Sequence, residues 1–318
     1  MNRFHLSLIT ILMTASLACA VTVSAQAQAQ AQARLTVSDR TTDSIAAELL
    51  QFGDIDLFVF ANRAAFLARM DETLGLGNIR DPDATFASLP RSPFTVTGRK
   101  NGKPIASCQI FVPANITPES GNEIFAQLMR GWFGPHLSYE TSAGLTYRWL
   151  IYHEVRHCKP DHFGDEDVKS HNDELNADLF AFDQLATPEN RAALARDIIG
   201  FRIITSALFA DKSHMTGLSL KYALDPEGRD QNPDKAEEIA AFVNTRQMIG
   251  NQARAIAAQA TPTSLELIRA ITELREKSEA GTLQSNDPRM GEILIELDDA
   301  IARFAPRLHA SVATRRPD

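Results

Sequence analysis

Residues 143–158 read Ala-Gly-Leu-Thr-Tyr-Arg-Trp-Leu-Ile-Tyr-His-Glu-Val-Arg-His-Cys, and this stretch decides the fold around the candidate site. After its second residue it contains neither glycine nor proline, which predicts one uninterrupted helix. His153 and His157 are four residues apart, so both imidazoles lie on one helix face and can bind one metal ion. Glu154 projects towards the open coordination position of that metal. The pattern is typical of metal-assisted hydrolysis.

A zinc site needs a third protein ligand, and we predict Glu174. Glu174 and Asp178 lie four residues apart on a second amphipathic segment, so one carboxylate can bind the metal while Asp178 accepts a ring N–H from a ligating histidine. A solvated acidic helix face is the alternative interpretation of these two residues. The other candidate ligands downstream of the motif are Asp161, His162, Asp165, Glu166, Asp167, His171 and Asp173.

The two motifs, His153-Glu-x-x-His157 and Glu174-x-x-Ala177-Asp178, resemble the gluzincin branch of the zincin-type zinc metallopeptidases. The second motif is similar to that of M48-type peptidases and, more loosely, of ImmA/IrrE-type peptidases. The resemblance covers residues 140–185. The metzincin pattern is absent, because Pro160 and Phe163 stand where it requires glycine and a histidine or aspartate.

The resemblance implies a zinc metallopeptidase that hydrolyses peptide bonds of a peptide or protein substrate. His153, His157 and Glu174 would hold Zn²⁺, and Glu154 would be the general base that takes a proton from the activated water. The resemblance also implies a side chain that stabilises the oxyanion, for which His214 is our candidate, with Tyr222 and Tyr139 as alternatives.

Two other interpretations remain open at the level of sequence. A non-catalytic metal-binding or interaction protein could retain a peptidase-like helix pair, although such a protein would not need Glu154. The short motif could also occur by chance in a helical protein that binds no metal.

Residues 105–112 could form the edge strand that pairs with extended substrate in zincins.

The N-terminal segment predicts export. Residues 1–25 carry one basic residue followed by a largely apolar run that ends in Val-Ser-Ala, the layout of a cleaved signal peptide. An uncleaved membrane anchor is the alternative, because the run approaches the roughly 20 residues that span a bilayer. The Ala/Gln-rich segment 26–38 predicts a linker. We therefore expect a periplasmic or extracellular protein without a stable membrane span.

Two cysteines remain once the signal peptide is removed. In an oxidising compartment Cys108 and Cys158 can form a disulfide, whereas two buried free thiols are the alternative. Cys158 follows Glu154 by four residues, and Cys108 lies in the predicted strand. A disulfide between them would join that strand to the helix of the motif.

The remaining patterns predict an α+β protein that is predominantly α-helical: a zincin-like core with a small β-hairpin and a C-terminal helical appendage. Helical spacing covers 38–75, whereas 94–112 alternates around Asn101-Gly102, a strong hairpin signal. Further helices are predicted at 123–132, 188–210, 233–259, 262–279 and 288–304. The predicted domains are 39–224 (catalytic), 225–306 (appendage) and 307–318 (tail).

Composition limits the classes of partner. The chain has 318 residues with 32 Lys+Arg against 40 Asp+Glu, a formal net charge of −8. No run of basic residues is longer than a pair, which argues against nucleic-acid binding, since phosphate contact needs a clustered basic surface.

Overall fold

The chain is predominantly helical with a small three-stranded sheet, as the sequence predicts. The computed structural model describes residues 44–87, 93–96, 98–105, 107–114, 140–159, 171–208, 212–224, 235–257 and 261–313. The predicted signal peptide, the linker and the predicted helix at 123–132 lie outside the described residues. No helix within the described ranges is both long and apolar enough to cross a membrane.

The helices fall into an N-terminal, a central and a C-terminal set. The first set is α1 (44–49), α2 (Arg63–Thr73) and α3 (Pro82–Ala87). The central set is α4 (Ala143–His157), α5 (His171–Leu185), α6 (Arg191–Leu208) and α7 (Gly217–Leu224). The C-terminal set is α8 (Lys235–Ile256), α9 (Ser264–Glu279), α10 (Arg289–Phe304) and α11 (Pro306–Ala313). Short 3₁₀ turns occupy Leu50–Phe52 and Leu76–Asn78.

The predicted hairpin is confirmed. Strand β2 (Phe94–Val96) pairs antiparallel with β5 (Cys108–Pro113), and the short strands β3 (Arg99–Lys100) and β4 (Lys103–Pro104) pair between them. The turn adopts positive φ at both central positions, 52° at Asn101 and 76° at Gly102, the conformation that an Asn-Gly pair favours.

One segment predicted as helix is a strand. Within 38–75, β1 (Ile55–Phe60) pairs parallel with β5, so the prediction of continuous helix is wrong there. The strand is apolar on both faces: Leu57 and Val59 pack towards α4, whereas Phe58 and Phe60 pack towards α2. A strand buried on both sides loses the clean alternation that distinguishes it from a helix.

The strand order β1-β5-β2 also corrects the prediction for residues 105–112. Strand β5 is central and uses both of its edges, to β1 and to β2, so it cannot be the edge strand that receives an extended substrate. The sequence could not show this, because the parallel partner β1 was expected to be helical. Strand β2 is an edge strand of this sheet, and it contacts α4.

The sheet holds α4 in place through its alternating side chains. Ile110 and Val112 of β5 face the cluster that contains Trp149, Ile151 and Val155 of α4, whereas Phe111 faces the opposite cluster around α2. Burying a side chain of this size contributes about 1.5–3 kcal/mol. The helix with the His-Glu-x-x-His motif is therefore anchored by the core behind it.

The C-terminal helices confirm the predicted segments and share one core. Apolar side chains of α8, α9 and α10 pack with Ile203 and Ile204 of α6 and with Leu218 of α7. The appendage therefore rests on the two helices that follow α5. Helix α11 (Pro306–Ala313) begins at the last residue of the predicted appendage and continues into the segment assigned to the tail.

Candidate metal centre

Helix α4 begins at a well-defined cap. The Ser142 hydroxyl accepts a hydrogen bond from the backbone N–H of Leu145 at 3.2 Å. The carboxylate of Asp197 on α6 accepts from the backbone N–H groups of Glu140, at 3.2 Å, and Thr141, at 2.8 Å. These contacts fix the start of the helix, and so the face on which its histidines lie.

Three buried side chains from α4 and α5 meet at one point. His153, His157 and Glu174 each offer a ligand atom, and these atoms lie within 4.8 Å of one another. The Nε2 atoms of the two histidines are 3.3 Å apart, and Glu174 Oε2 lies 3.1 Å from His153 Nε2 and 3.8 Å from His157 Nε2. This group could hold a metal ion.

Each of these histidines has a carboxylate on its far nitrogen. Asp178 Oδ1 lies 2.9 Å from His153 Nδ1, and Asp173 Oδ2 lies 3.2 Å from His157 Nδ1. A carboxylate at Nδ1 favours the tautomer with the proton on that nitrogen, which leaves Nε2 as a lone-pair donor. In these neutral tautomers both Nε2 atoms present lone pairs to the same space.

Asp178 is in turn held by residues that the sequence analysis did not identify. Arg202 of α6 donates from Nε to Oδ2 at 2.8 Å and from Nη2 to Oδ1 at 2.7 Å, and the Thr216 hydroxyl donates to Oδ2 at 2.9 Å. All three side chains are buried. The contact between Arg202 and Asp178 could have been predicted from the sequence. Arg202 lies inside the apolar run Ile198–Ile204, and a buried arginine requires an acidic partner.

Thr216 carried no comparable signal, because its position depends on a close approach of two helices. The next residue, Gly217, begins α7 against α6. A Cβ at this glycine would lie 2.6 Å from the backbone nitrogen of Ile203, so no larger residue fits without movement. This approach brings Thr216 beneath Asp178.

The electrostatics of the site favour a positive charge between the donors. Burial alone lowers the pKa of His153, but the adjacent carboxylates of Asp178 and Glu174 outweigh it and raise the pKa to about 10. Burial raises the pKa of Asp178, whereas Arg202 and His153 reverse this and lower it to about 2. The pKa of Glu174 is also held below its usual range, against burial, by His153, His214 and Arg202. The site therefore stabilises a proton or another cation in the absence of any ligand.

Glu154 lies beside this group and is not one of its three donors. It is half-buried, and burial raises the pKa of its carboxyl group. Its Oε2 accepts a hydrogen bond from the Thr95 hydroxyl of β2 at 2.8 Å. Thr95 is the third residue that the sequence analysis missed, since 59 positions separate it from Glu154.

The predicted oxyanion candidates separate in the structure. His214 Nε2 lies 3.3 Å from Glu174 Oε2, with 42 % of its side chain exposed, so it reaches the rim of the site. Tyr222 instead lines a cavity with Glu238 and Arg289, between α7, α8 and α10. Tyr139 lies outside the described residues.

Two of the seven other candidate ligands can also be placed. His171 Nε2 lies 2.9 Å from Ser219 Oγ and is not part of the donor group. Asp173 contacts His157 as described above. Five candidates lie outside the described residues: Asp161, His162, Asp165, Glu166 and Asp167.

The predicted disulfide between Cys108 and Cys158 is present. Cys108 begins β5, and Cys158 is the residue that ends α4, directly after His157. The two Cα atoms lie 5.5 Å apart, within the usual range for a disulfide. The bond therefore joins the central strand to the end of the helix that carries both histidines.

The chemistry of this centre has to be inferred from its own atoms. Its donors, their carboxylate partners and Glu154 come from two helices, and α6, α7 and β2 support them. No protein-family model matches the chain, and no curated protein or solved structure is detectably similar to it.

Proposed function

We propose that this protein is a zinc-dependent metallopeptidase of the gluzincin type, with His153, His157 and Glu174 as ligands and Glu154 as general base. One observation carries the proposal. Three buried donors converge on one point, and the carboxylate of Glu154, the residue next to His153, is not one of these donors. A site that only stores or sequesters a metal does not require that fourth group.

The donor set suits zinc. Two imidazoles and one carboxylate are a common ligand set of catalytic zinc sites, which keep a fourth position open. With zinc–ligand distances of about 2.0–2.1 Å, two ligand atoms of a tetrahedron lie about 3.3 Å apart. The distances of 3.3 Å and 3.1 Å between the donors are close to that value. Glu174 Oε2 is buried, and its polar neighbours are the Nε2 atoms of His153, His214 and His157, at 3.1, 3.3 and 3.8 Å.

The residues of this chain then have distinct roles in hydrolysis. Zinc, when bound, supplies Lewis-acid activation of water and of the scissile carbonyl. Glu154 accepts the proton of the attacking water and passes it to the leaving amine. The burial that raises the pKa of Glu154 makes it a stronger base, and Asp178 and Asp173 hold both imidazoles in the ligating tautomer. His214 at the rim can donate a hydrogen bond to the oxyanion.

Zinc content and cleavage of an unstructured substrate test the proposal. Purified protein should bind one zinc ion per chain and degrade casein, and Glu154→Gln should retain the zinc while kcat falls by about 10²–10⁴-fold. Glu279→Gln, which changes an exposed glutamate on α9, is the matched control and should behave as wild type.

The possible outcomes separate the competing functions. Stoichiometric zinc without cleavage would support a non-catalytic metal-binding protein. A chain that binds no zinc would indicate that the motif is accidental. Equal cleavage by wild type and Glu154→Gln would remove Glu154 from the mechanism.

We also propose that the protein is exported, with residues 1–25 as a cleaved signal peptide. The disulfide between Cys108 and Cys158 supports this, because such bonds persist mainly in oxidising compartments. The N-terminal residue of protein recovered from the cell envelope or the medium tests it. An intact Met1 would exclude cleavage.

A further inference from the structure

Thr95 connects the sheet to the predicted general base. It is the middle residue of β2 and is paired with Ile110 of β5. Its hydroxyl lies 2.8 Å from Glu154 Oε2 and 3.0 Å from the backbone carbonyl oxygen of Glu154. A single side chain from the sheet therefore contacts both ends of the glutamate.

The hydroxyl can serve both protonation states of Glu154. It has one proton to donate and two lone pairs that can accept. When the carboxylate is ionised, the proton is best donated to Oε2, because hydrogen bonds to charged acceptors are stronger. When Glu154 has taken up a proton, the hydroxyl can donate to the backbone carbonyl oxygen instead. The Thr95 hydroxyl therefore has a hydrogen-bond acceptor on Glu154 in either protonation state, and Oε2 is the carboxylate oxygen that it contacts.

The support behind Thr95 is rigid enough to fix a side chain. Strand β2 pairs with β5, the neighbouring Val96 is buried, and the disulfide joins β5 to the residue that ends α4. Thr95 and Glu154 therefore belong to elements held together by a strand pairing and by a covalent bond. A group held in this way restricts the rotamers of a long side chain.

We propose that Thr95 is a positioning residue: it holds the Glu154 carboxylate so that its free oxygen faces the metal centre. The proposal rests on the proposed function, because it assigns Thr95 a role only if Glu154 acts as the base. Holding Glu154 in one orientation should raise the rate of the chemical step, because an unrestrained glutamate spends less time in the productive geometry. Substrate affinity and metal binding do not depend on it.

Three variants and one wild-type measurement test the proposal. Thr95→Val keeps the shape of the side chain and removes the hydroxyl, so kcat for a fluorogenic peptide cut by the wild type should fall about 10- to 100-fold with KM unchanged. Thr95→Ser restores the hydroxyl and should recover kcat to within about threefold of wild type. Thr245→Val, which removes a buried hydroxyl on α8 that donates to the carbonyl oxygen of Ala241, is the control and should leave kcat unchanged.

Zinc content and thermal unfolding of each variant complete the design. Wild-type zinc content and an unchanged unfolding midpoint in Thr95→Val, together with the loss of kcat, support the proposal. Unchanged kcat in Thr95→Val, failure of Thr95→Ser to recover it, or loss of zinc or fold in Thr95→Val would each overturn it; the last would show that Thr95 is structural. A wild-type protein that binds zinc but cuts no substrate would instead refute the proposed function.

Discussion

Two helix pairs of nearly equal length are held together by different means. Helices α4 and α5 have 15 residues each, and α9 and α10 have 16 each. The α9–α10 contact buries mainly apolar side chains, together with Asp298, and the apolar ones include Ile268, Ile271, Leu274, Ile293, Leu294 and Leu297. Helices α4 and α5 also share an apolar core, but they bury in addition the polar group His153, His157, Glu174 and Asp178.

This difference between the two helix pairs indicates that α9 and α10 contribute mainly to stability and that α4 and α5 contribute mainly to the candidate site. Each buried leucine or isoleucine contributes about 1.5–3 kcal/mol, so the α9–α10 pair stabilises the fold through its contact. Buried charges gain little net stability, because their attraction is offset by the loss of hydration. The α4–α5 pair is held by the core on its other side, which leaves its shared face available for a metal.

The largest expected effect comes from removing the charge that balances the α4–α5 contact. Arg202→Leu leaves the buried Asp178 without its guanidinium partner, and the free energy of unfolding should fall by about 3–5 kcal/mol. Urea denaturation of the metal-free protein measures it.

A matched variant in the other pair sharpens the comparison. Arg275 of α9 contacts the buried Asp298 of α10, but Arg275 is partly exposed, and Asp298 also contacts Thr272 and His309. Arg275→Leu should therefore cost about 1 kcal/mol or less. Equal losses in the two variants would show that the two contacts do not differ in kind.

The same contrast explains what the sequence could predict. Both histidines, Glu174 and Asp178 were found from their spacing, because residues four apart on a helix share a face whatever the rest of the fold does. The C-terminal helices were found because proline and capping residues mark their starts and their apolar faces are continuous. These features are local, and so they are legible in the sequence.

The features that sequence reasoning missed depend on distant contacts. Thr95, Arg202 and Thr216 reach the site only after β2, α6 and α7 pack against α4 and α5. Strand β1 was missed because both of its faces carry apolar side chains that pack against the rest of the protein, so no period distinguished it from a helix. A contact between residues that are far apart in the sequence produces no local sequence pattern at either residue.

The second-largest expected effect is a change in the free energy of unfolding that leaves zinc binding unaltered. Leu297→Ala opens a cavity between α9 and α10, and the free energy of unfolding should fall by about 3 kcal/mol. The affinity for zinc, measured by competition with a chelating dye, should be unchanged, because no residue of this contact belongs to the donor group. A weaker affinity would show that the appendage shapes the metal centre and would break the separation between the two pairs.

A third effect is a pH dependence that belongs to the α4–α5 contact. In metal-free protein the pKa of Asp178 is lowered from 3.8 to about 2, so its contribution to stability is present above about pH 4 and is lost as the pH falls through 2. The pKa of His153 is raised from 6.5 to about 10, so its contribution is present below pH 6.5 and is lost as the pH rises through 10. Stability should therefore be greatest between about pH 4 and 6.5, and the acid loss from Asp178 should be about 2 kcal/mol.

Zinc should reverse the alkaline side of this profile. A ligating His153 must be free of its Nε2 proton, so zinc affinity rises with pH over the range in which the metal-free protein loses stability. Urea denaturation from pH 5 to 9, with and without excess zinc, compares the pH dependence of stability in the metal-free and the zinc-bound protein. Asp178→Asn serves as the internal control, because it removes the acidic limb and most of the charge that raises the pKa of His153. If both wild-type curves fell together above pH 6.5, the positive charge favoured by this contact would be a proton alone, and the α4–α5 pair would be a buried ion-pair network without a metal.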